Sequence, residues 1–108
     1  MTPLVIHEEA RRERLHVKRT MRDPSAGDRF DAALREVFDR IKEGPNQFPE
    51  HALLVVPMAA GPLFVAVRRA VLPKPFPYVV FFYMRERTAV VLAIAHGKRR
   101  PGYWSERR

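Results

Sequence analysis

The sequence predicts an α+β fold in which an N-terminal strand and an antiparallel two-helix hairpin pack on a mostly antiparallel sheet of about four strands. Apolar residues recur at helical spacing between residues 30 and 41. Apolar runs rich in β-branched residues then return between residues 63 and 95. This order is typical of a two-layer domain. The 108 residues are enough for one such domain, covering 1–108.

A short strand and a first helix are predicted at the start of the chain. Thr2 to Ile6 is the strand candidate, and its Pro3 is tolerated at a sheet edge, where no N–H is needed. Glu8 and Glu9 then favour the positive end of a helix dipole. They predict a helix to about Arg22, with an apolar stripe so thin that the helix covers a surface rather than filling a core.

The second helix has the clearest pattern in the sequence. Asp23 is a suitable N-cap and Pro24 a suitable first residue, while Gly44 followed by Pro45 ends the helix. Its apolar face consists of Phe30, Ala33, Leu34, Val37, Phe38 and Ile41. The break between the helices is so short that they are expected to fold back as an antiparallel hairpin.

Further strands are predicted at residues 63–72, 78–84 and 88–95, with a tight turn at 85–87. Residues 53–56 are consistent with either an extra edge strand or an apolar loop packed under the sheet. Because side chains alternate along a strand, some aromatics of 78–84 face away from the helices. One sheet face is therefore expected to be apolar and exposed, which suits a partner segment laid across it.

Positive charge is concentrated in the second half of the chain. The net charge is +8; residues 1–50 carry ten acids and ten Lys/Arg, whereas residues 51–108 carry ten Lys/Arg against only Glu86 and Glu106. This asymmetry favours an anionic partner for the second half, either nucleic acid or an acidic protein segment.

Composition also excludes several classes of protein. With no cysteine, disulfide scaffolds, thiol catalysis and Cys-based zinc sites are excluded. His7, His16 and His51 share no metal-ligand spacing, so no metal site is predicted. No cofactor is predicted either. The N-terminus does not resemble a signal peptide, and the apolar runs are too short to span a bilayer. A cytoplasmic protein with no membrane partner is expected.

Residues 96–104 (HGKRRPGYW) form a candidate anion-binding rim. A buried strand delivers His96 and the cations Lys98, Arg99 and Arg100, and a turn is predicted at Pro101-Gly102. The cations are expected to bind phosphates or an acidic protein, although cation runs are usually solvated.

The neighbouring strand and the aromatic pair add further candidates. Arg68 and Arg69 are adjacent on a strand, so their side chains point to opposite faces and only one can join the rim. Tyr103 and Trp104 can stack on a nucleic-acid base. For Trp104, however, the favoured prediction is packing at the end of the sheet or on a helix. His96 fits a general base or a nucleic-acid contact, and a histidine that ends a strand beside a glycine is as often a structural hydrogen-bonding residue.

Four motifs in this order resemble the ParE/RelE superfamily of type II toxin–antitoxin toxins, the ParE-like members more than the RelE-like ones. They are Lys42-Glu43-Gly44-Pro45, Arg68-Arg69-Ala70-Val71-Leu72, Phe76-Pro77-Tyr78, and the run from Ala95 to Trp104. The resemblance extends from Leu4 to Arg107. It implies a small basic toxin in a hetero-oligomer with a cognate antitoxin, which wraps an acidic, partly disordered segment over it.

The superfamily implies two activities. ParE-like members bind DNA gyrase and stall it; RelE-like members cleave mRNA on the ribosome, which without a metal requires a base, cations for the phosphate and a proton donor. The resemblance implies that His96, Arg99 and Tyr103 are catalytic if the chain is a ribonuclease. RelE-like ribonucleases commonly carry an arginine directly after the aromatic that opens the third strand, where this chain has Val79 after Tyr78. Arg68 or Arg69 on the neighbouring strand could substitute for that arginine.

The expected function is therefore growth inhibition by binding, with DNA gyrase as target. The alternatives are an RelE-like ribosome-dependent mRNA endoribonuclease and, last, a non-toxic basic binding module. The residues assigned to anion or target binding are Arg68, Arg69, Lys98, Arg99, Arg100 and Trp104.

Overall fold

The computed structural model describes residues 1–100 and 102–107, in which there are two α-helices, a short 3-10 helix at Pro45–Gln47 and five strands. The elements are β1 (Leu4–Ile6), α1 (Glu8–Thr20), α2 (Pro24–Glu43), β2 (Glu50–Val56), β3 (Leu63–Val71), β4 (Tyr78–Arg85) and β5 (Thr88–His96). The predicted α+β class and the N-terminal strand are confirmed. Within the described residues, no helix has an apolar stretch long enough to cross a membrane.

The sheet has the strand order β1-β5-β4-β3-β2, with β1 parallel to β5 and the other pairs antiparallel. The prediction of about four strands is wrong, because residues 50–56 add an edge strand. This segment pairs with β3 from Ala52↔Val67 to Val56↔Leu63. Pairing satisfies backbone groups that a loop under the sheet would leave without partners, so the edge-strand interpretation of residues 53–56 is the correct one.

Each helix is preceded by a residue whose side chain caps its N-terminus. His7 caps α1, its Nδ1 accepting from the Glu9 N–H at 3.1 Å, and Glu8 lies in the first turn with Glu9. Asp23 caps α2, its Oδ1 accepting from the Ser25 N–H at 3.0 Å. These caps satisfy N–H groups that have no partner inside the helix.

Ion pairs connect α1 to α2. Asp31 of α2 lies 2.9 Å from the Arg14 Nε and 2.6 Å from the Lys18 Nζ of α1. Burial raises the pKa of the Asp31 carboxyl, but hydrogen bonds from Lys18 and Arg14 lower it more, and the net pKa is below the ordinary value. The helices therefore fold back on each other, as the short break between them requires.

Apolar packing covers both faces at the centre of the sheet. On the helix side, the predicted face of α2 is buried, with Phe30, Leu34 and Ile41 fully enclosed. The expectation of an exposed face opposite the helices is wrong for the centre of the sheet, where Phe81 is only 9% exposed. The chain after β5 folds back there, and the ring of Trp104 packs against Phe81 with 5.4 Å between centroids.

Candidate functional site

The outer edge of β5 is completed by side chains instead of by a strand. β1 pairs with β5 only as far as Val91. Beyond it, the Glu13 carboxylate of α1 accepts from the Ile94 N–H at 3.1 Å, and the Arg107 guanidinium donates to the Leu92 carbonyl at 3.1 Å. Glu13 and Arg107 thus satisfy backbone groups that a longer β1 would have paired.

Glu13 also anchors the segment that follows β5. Its carboxylate accepts from the Tyr103 hydroxyl at 2.5 Å and from the Arg107 Nη1 at 2.7 Å, and it lies 3.9 Å from the Arg99 Nη1. The side chains of Glu13 and Arg107 are 13% and 14% exposed. Charge-assisted hydrogen bonds so shielded from water are stronger than surface ion pairs, so Glu13 fixes the candidate rim to α1.

Tyr103 lies between two guanidinium groups. The Arg99 Cζ is 3.9 Å and the Arg107 Cζ 4.9 Å from its ring centroid. Burial, followed by the hydrogen bond to Glu13, raises the pKa of the Tyr103 hydroxyl well above its usual value. For Arg107, burial lowers the pKa but the hydrogen bond to Glu13 helps to raise it above the usual value. At neutral pH, Tyr103 is therefore a protonated phenol whose proton is already donated to Glu13.

His96 is held at the end of β5 by local contacts. Its Nδ1 accepts from the Lys98 N–H at 3.1 Å, and its ring meets that of Tyr78 edge-on at 5.5 Å. The Gly97 N–H donates to the Pro77 carbonyl at 2.8 Å, which fixes where the rim begins. Gly102 has the positive φ of 79° that the predicted turn needs, whereas Pro101 lies outside the described residues.

Arg68 and Arg69 point to opposite faces, as predicted. Arg68 donates to the Phe48 carbonyl at 2.6 Å and lies 3.5 Å from Glu50, away from the rim. Arg69 lines a groove of about 180 Å³ on the other face, where the side chains of His51, His96, Arg99, Arg100, Tyr103 and Trp104 also lie. The structure thus brings Arg69 to the candidate site. Arg68 instead binds the backbone of the segment that precedes β2.

Three cations of the site are exposed to solvent. Arg69, Lys98 and Arg100 are exposed, and none forms an ion pair within residues 1–100 and 102–107. Trp104 is only 2% exposed, and its indole N–H has no acceptor among the described residues. Its ring therefore packs against the sheet and is not positioned to stack on a ligand.

A second groove, of about 460 Å³, lies between α1 and the end of β5. Its lining includes Glu13, His16, His96 and Arg99, so Arg99 and His96 border both grooves. No three His, Asp or Glu side chains in the described part of the chain converge to hold a metal ion. The chemistry available here is anion binding by guanidinium, ammonium and imidazole groups.

Sequence reasoning missed Glu13 and Arg107, the residues that organise the site. A signal for Glu13 was present, since it lies between Ala10 and Val17 on the buried stripe of α1 at i+3 and i−4 spacing. A charged residue on a buried stripe requires a partner. Nothing in the sequence identified Arg107 as that partner, because 94 positions separate the two residues.

Comparison with known proteins gives one family match. The family model described as ParE toxin of type II toxin-antitoxin system, parDE, matches residues 4–101. No curated protein and no solved structure matches the chain significantly. The match covers both helices, all five strands and the cations of the rim.

Proposed function

Since this chain belongs to the ParE toxin family of type II toxin–antitoxin systems, we propose that it arrests growth by binding DNA gyrase and that a cognate acidic antitoxin neutralises it. The exposed cations Arg69, Lys98 and Arg100 provide the binding surface in this proposal. A surface with unpaired cations attracts an acidic protein segment and steers its approach.

One observation carries the preference for binding over catalysis: all three candidate catalytic side chains are already engaged within the protein. Tyr103 donates its proton to Glu13, His96 accepts from the Lys98 N–H, and Arg99 stacks on Tyr103. The raised pKa of the Tyr103 hydroxyl works against its acting as a base.

The position after Tyr78 supports the same preference. Val79 stands where RelE-like ribonucleases carry an arginine, and it is 6% exposed, packed with Phe81 and Trp104 under the rim. An arginine at position 79 could reach a phosphate only by displacing the apolar contacts that Val79 makes in this cluster. Arg69, Lys98 and Arg100 are exposed, and exposed cations suit contact with a protein surface.

An RelE-like ribosome-dependent endoribonuclease remains the second candidate, and one observation favours it. His96, Arg69, Arg99 and Arg100 line a single groove, which combines an imidazole with three guanidinium groups beside Tyr103. Cleavage at a ribose 2′-OH needs groups of these two kinds. On ribosome binding, Tyr103 would have to leave Glu13 to donate its proton to the leaving oxygen.

Paired assays with purified protein distinguish the two functions. The binding proposal expects inhibition of gyrase supercoiling, with intact mRNA in a translating extract. It also expects Arg69→Gln with Arg100→Gln to weaken the inhibition, while Tyr103→Phe, which keeps the ring, leaves most of it. Message cleavage that Tyr103→Phe or Arg99→Ala abolishes would overturn the binding proposal in favour of the ribonuclease.

A matched control separates local contacts from net charge. Arg87 is an exposed arginine in the β4–β5 turn, at the opposite end of β5 from His96. Arg87→Gln removes the same charge, and it should leave gyrase inhibition unchanged if the rim is the binding surface. If the protein has neither effect and does not arrest growth on expression, it is instead a non-toxic basic binding module.

Binding to the antitoxin is tested by its salt dependence. An acidic segment held by Arg69, Lys98 and Arg100 should dissociate faster at high salt, because exposed ion pairs are screened. Charge-removing variants at these positions should reduce that salt dependence. A complex that is insensitive to both salt and these variants would show that the antitoxin binds elsewhere.

A further inference from the structure

The β2–β3 hairpin is an exposed apolar projection of an otherwise highly charged protein. Residues 52–67 (ALLVVPMAAGPLFVAV) contain no ionisable side chain, although 30% of the chain is Asp, Glu, Lys or Arg. β3 pairs with β4 only from Val67 onward, so residues 63–66 pair with β2 alone. The hairpin therefore extends past the body of the sheet, where neither helix covers it.

Its side chains form one contiguous apolar patch. Leu53 is opposite Ala66 and Val55 is opposite Phe64, and cross-strand partners share a face. Leu53, Val55 and Phe64 are 67%, 42% and 62% exposed. Their exposed area is on the order of 350 Å², the size of the largest apolar patch on a typical monomer, which is often functional.

The two edges of the sheet differ in how they are protected against pairing with another chain. β1 is three residues long and follows Pro3, and both features discourage pairing with another chain. The seven-residue β2 has a charge only at Glu50, and a register shift between Glu50 and Ala52 leaves residues 52–56 as a regular, uncharged edge. Lysine and mid-strand proline, which commonly protect an edge, do not occur between residues 52 and 56.

We propose that residues 52–56 pair antiparallel with the same residues of a second copy of this chain, about a two-fold axis at Leu54. The two sheets then become continuous through their β2 strands. In this register Leu53 is opposite the partner's Val55, and Ala52 is opposite the partner's Val56. The same patch serves both copies, as two-fold symmetry requires.

Charge distribution favours a second copy over an acidic partner. An acidic antitoxin segment would find no cation between residues 52 and 67, whereas Arg69, Lys98 and Arg100 offer cations at the rim. A self-paired β2 brings apolar groups together without opposing like charges. The area is smaller than that of standard interfaces, roughly 800 Å² per partner, so a weak, concentration-dependent dimer is expected. This inference does not rest on gyrase being the target.

Sedimentation velocity over a wide concentration range tests the proposal on the purified protein. The mass should rise from the 12.6 kDa of the monomer towards twice that value. Val55→Lys and Leu53→Lys should each weaken association at least roughly tenfold, because each substitution places two lysines close together across the axis. Since these positions are exposed, circular dichroism should show an unchanged fold.

Two matched substitutions control for the added charge. Val71→Lys changes a 54% exposed valine at the far end of β3, and Val5→Lys changes a 50% exposed valine on the β1 edge. Both should leave the dimer intact. A protein that stays monomeric, or a dimer that Val5→Lys disrupts and Val55→Lys does not, would overturn the proposal.

Cysteine cross-linking tests the register, because the chain contains no cysteine of its own. Leu53→Cys mixed with Val55→Cys should form disulfide-linked dimers faster than either variant alone, since opposite residues are closer than diagonal ones. Equal rates for the mixture and the single variants would refute the axis at Leu54. If the chain is monomeric and an antitoxin protects residues 52–56 from hydrogen exchange, the edge belongs to the antitoxin and the proposal fails.

Discussion

Replacing Glu13 with alanine should detach the segment after β5 from α1. The substitution removes the acceptor of the Tyr103 hydroxyl, of the Arg107 guanidinium and of the Ile94 N–H. It leaves Arg107, whose side chain is 14% exposed, without its carboxylate. Breaking a buried ion pair by removing one partner costs about 3–5 kcal/mol.

The expected loss lies at the low end of that range, at about 3 kcal/mol, because the terminal segment can move Arg107 into water. For a domain of this size, such a loss lowers Tm by roughly 12 °C. Glu9→Ala is the matched control: it removes a glutamate from the same helix, and the Glu9–Arg12 ion pair is 44% and 66% exposed. Its cost should be below about 0.5 kcal/mol.

Tryptophan fluorescence and far-UV circular dichroism during urea unfolding measure both consequences. Trp104 is the single tryptophan and is buried against Phe81, so its emission reports docking of the segment. In Glu13→Ala, emission should shift to the red before the helical signal is lost. A variant with wild-type emission and an unfolding free energy within about 0.5 kcal/mol of wild type would refute Glu13 as the anchor.

The remaining predictions concern ionisation, the helix pair and the core. The pKa of the Tyr103 hydroxyl is raised, so the contribution of this hydroxyl to stability is complete below about pH 10 and is lost as pH rises through the higher folded-state pKa. Carbon NMR of the Tyr103 ring should show ionisation well above pH 10. In Glu13→Gln the same ring should ionise at a lower pH. Asp31→Asn should destabilise by about 1.5 kcal/mol at pH 7. Because the pKa of Asp31 is lowered, that difference is present above its ordinary value of 3.8 and should shrink as pH falls below it; equal losses at pH 7 and pH 3 would contradict this. Phe82→Ala, at a fully buried ring, should cost about 4 kcal/mol, whereas Phe64→Ala, at a 62% exposed ring, should cost below about 1 kcal/mol in the monomer, both measured by urea unfolding.

The sequence alone determined the features that depend on neighbours along the chain. The apolar spacing of α2, its cap at Asp23 and its end at Gly44 predicted the helix, because helical packing and capping act over a few residues. Strand alternation likewise predicted that Arg68 and Arg69 face opposite sides of the sheet. The order of such local motifs also carried the resemblance that the family match supports.

Tertiary structure alone decided which distant residues meet. It placed residues 50–56 at the sheet edge and folded Trp104 over a face that alternation had left open. It also joined Glu13 to Tyr103 and Arg107, because the short β1 leaves an edge of β5 that charged side chains can complete. These contacts depend on where separate elements pack, and no local periodicity encodes a pairing across most of the chain.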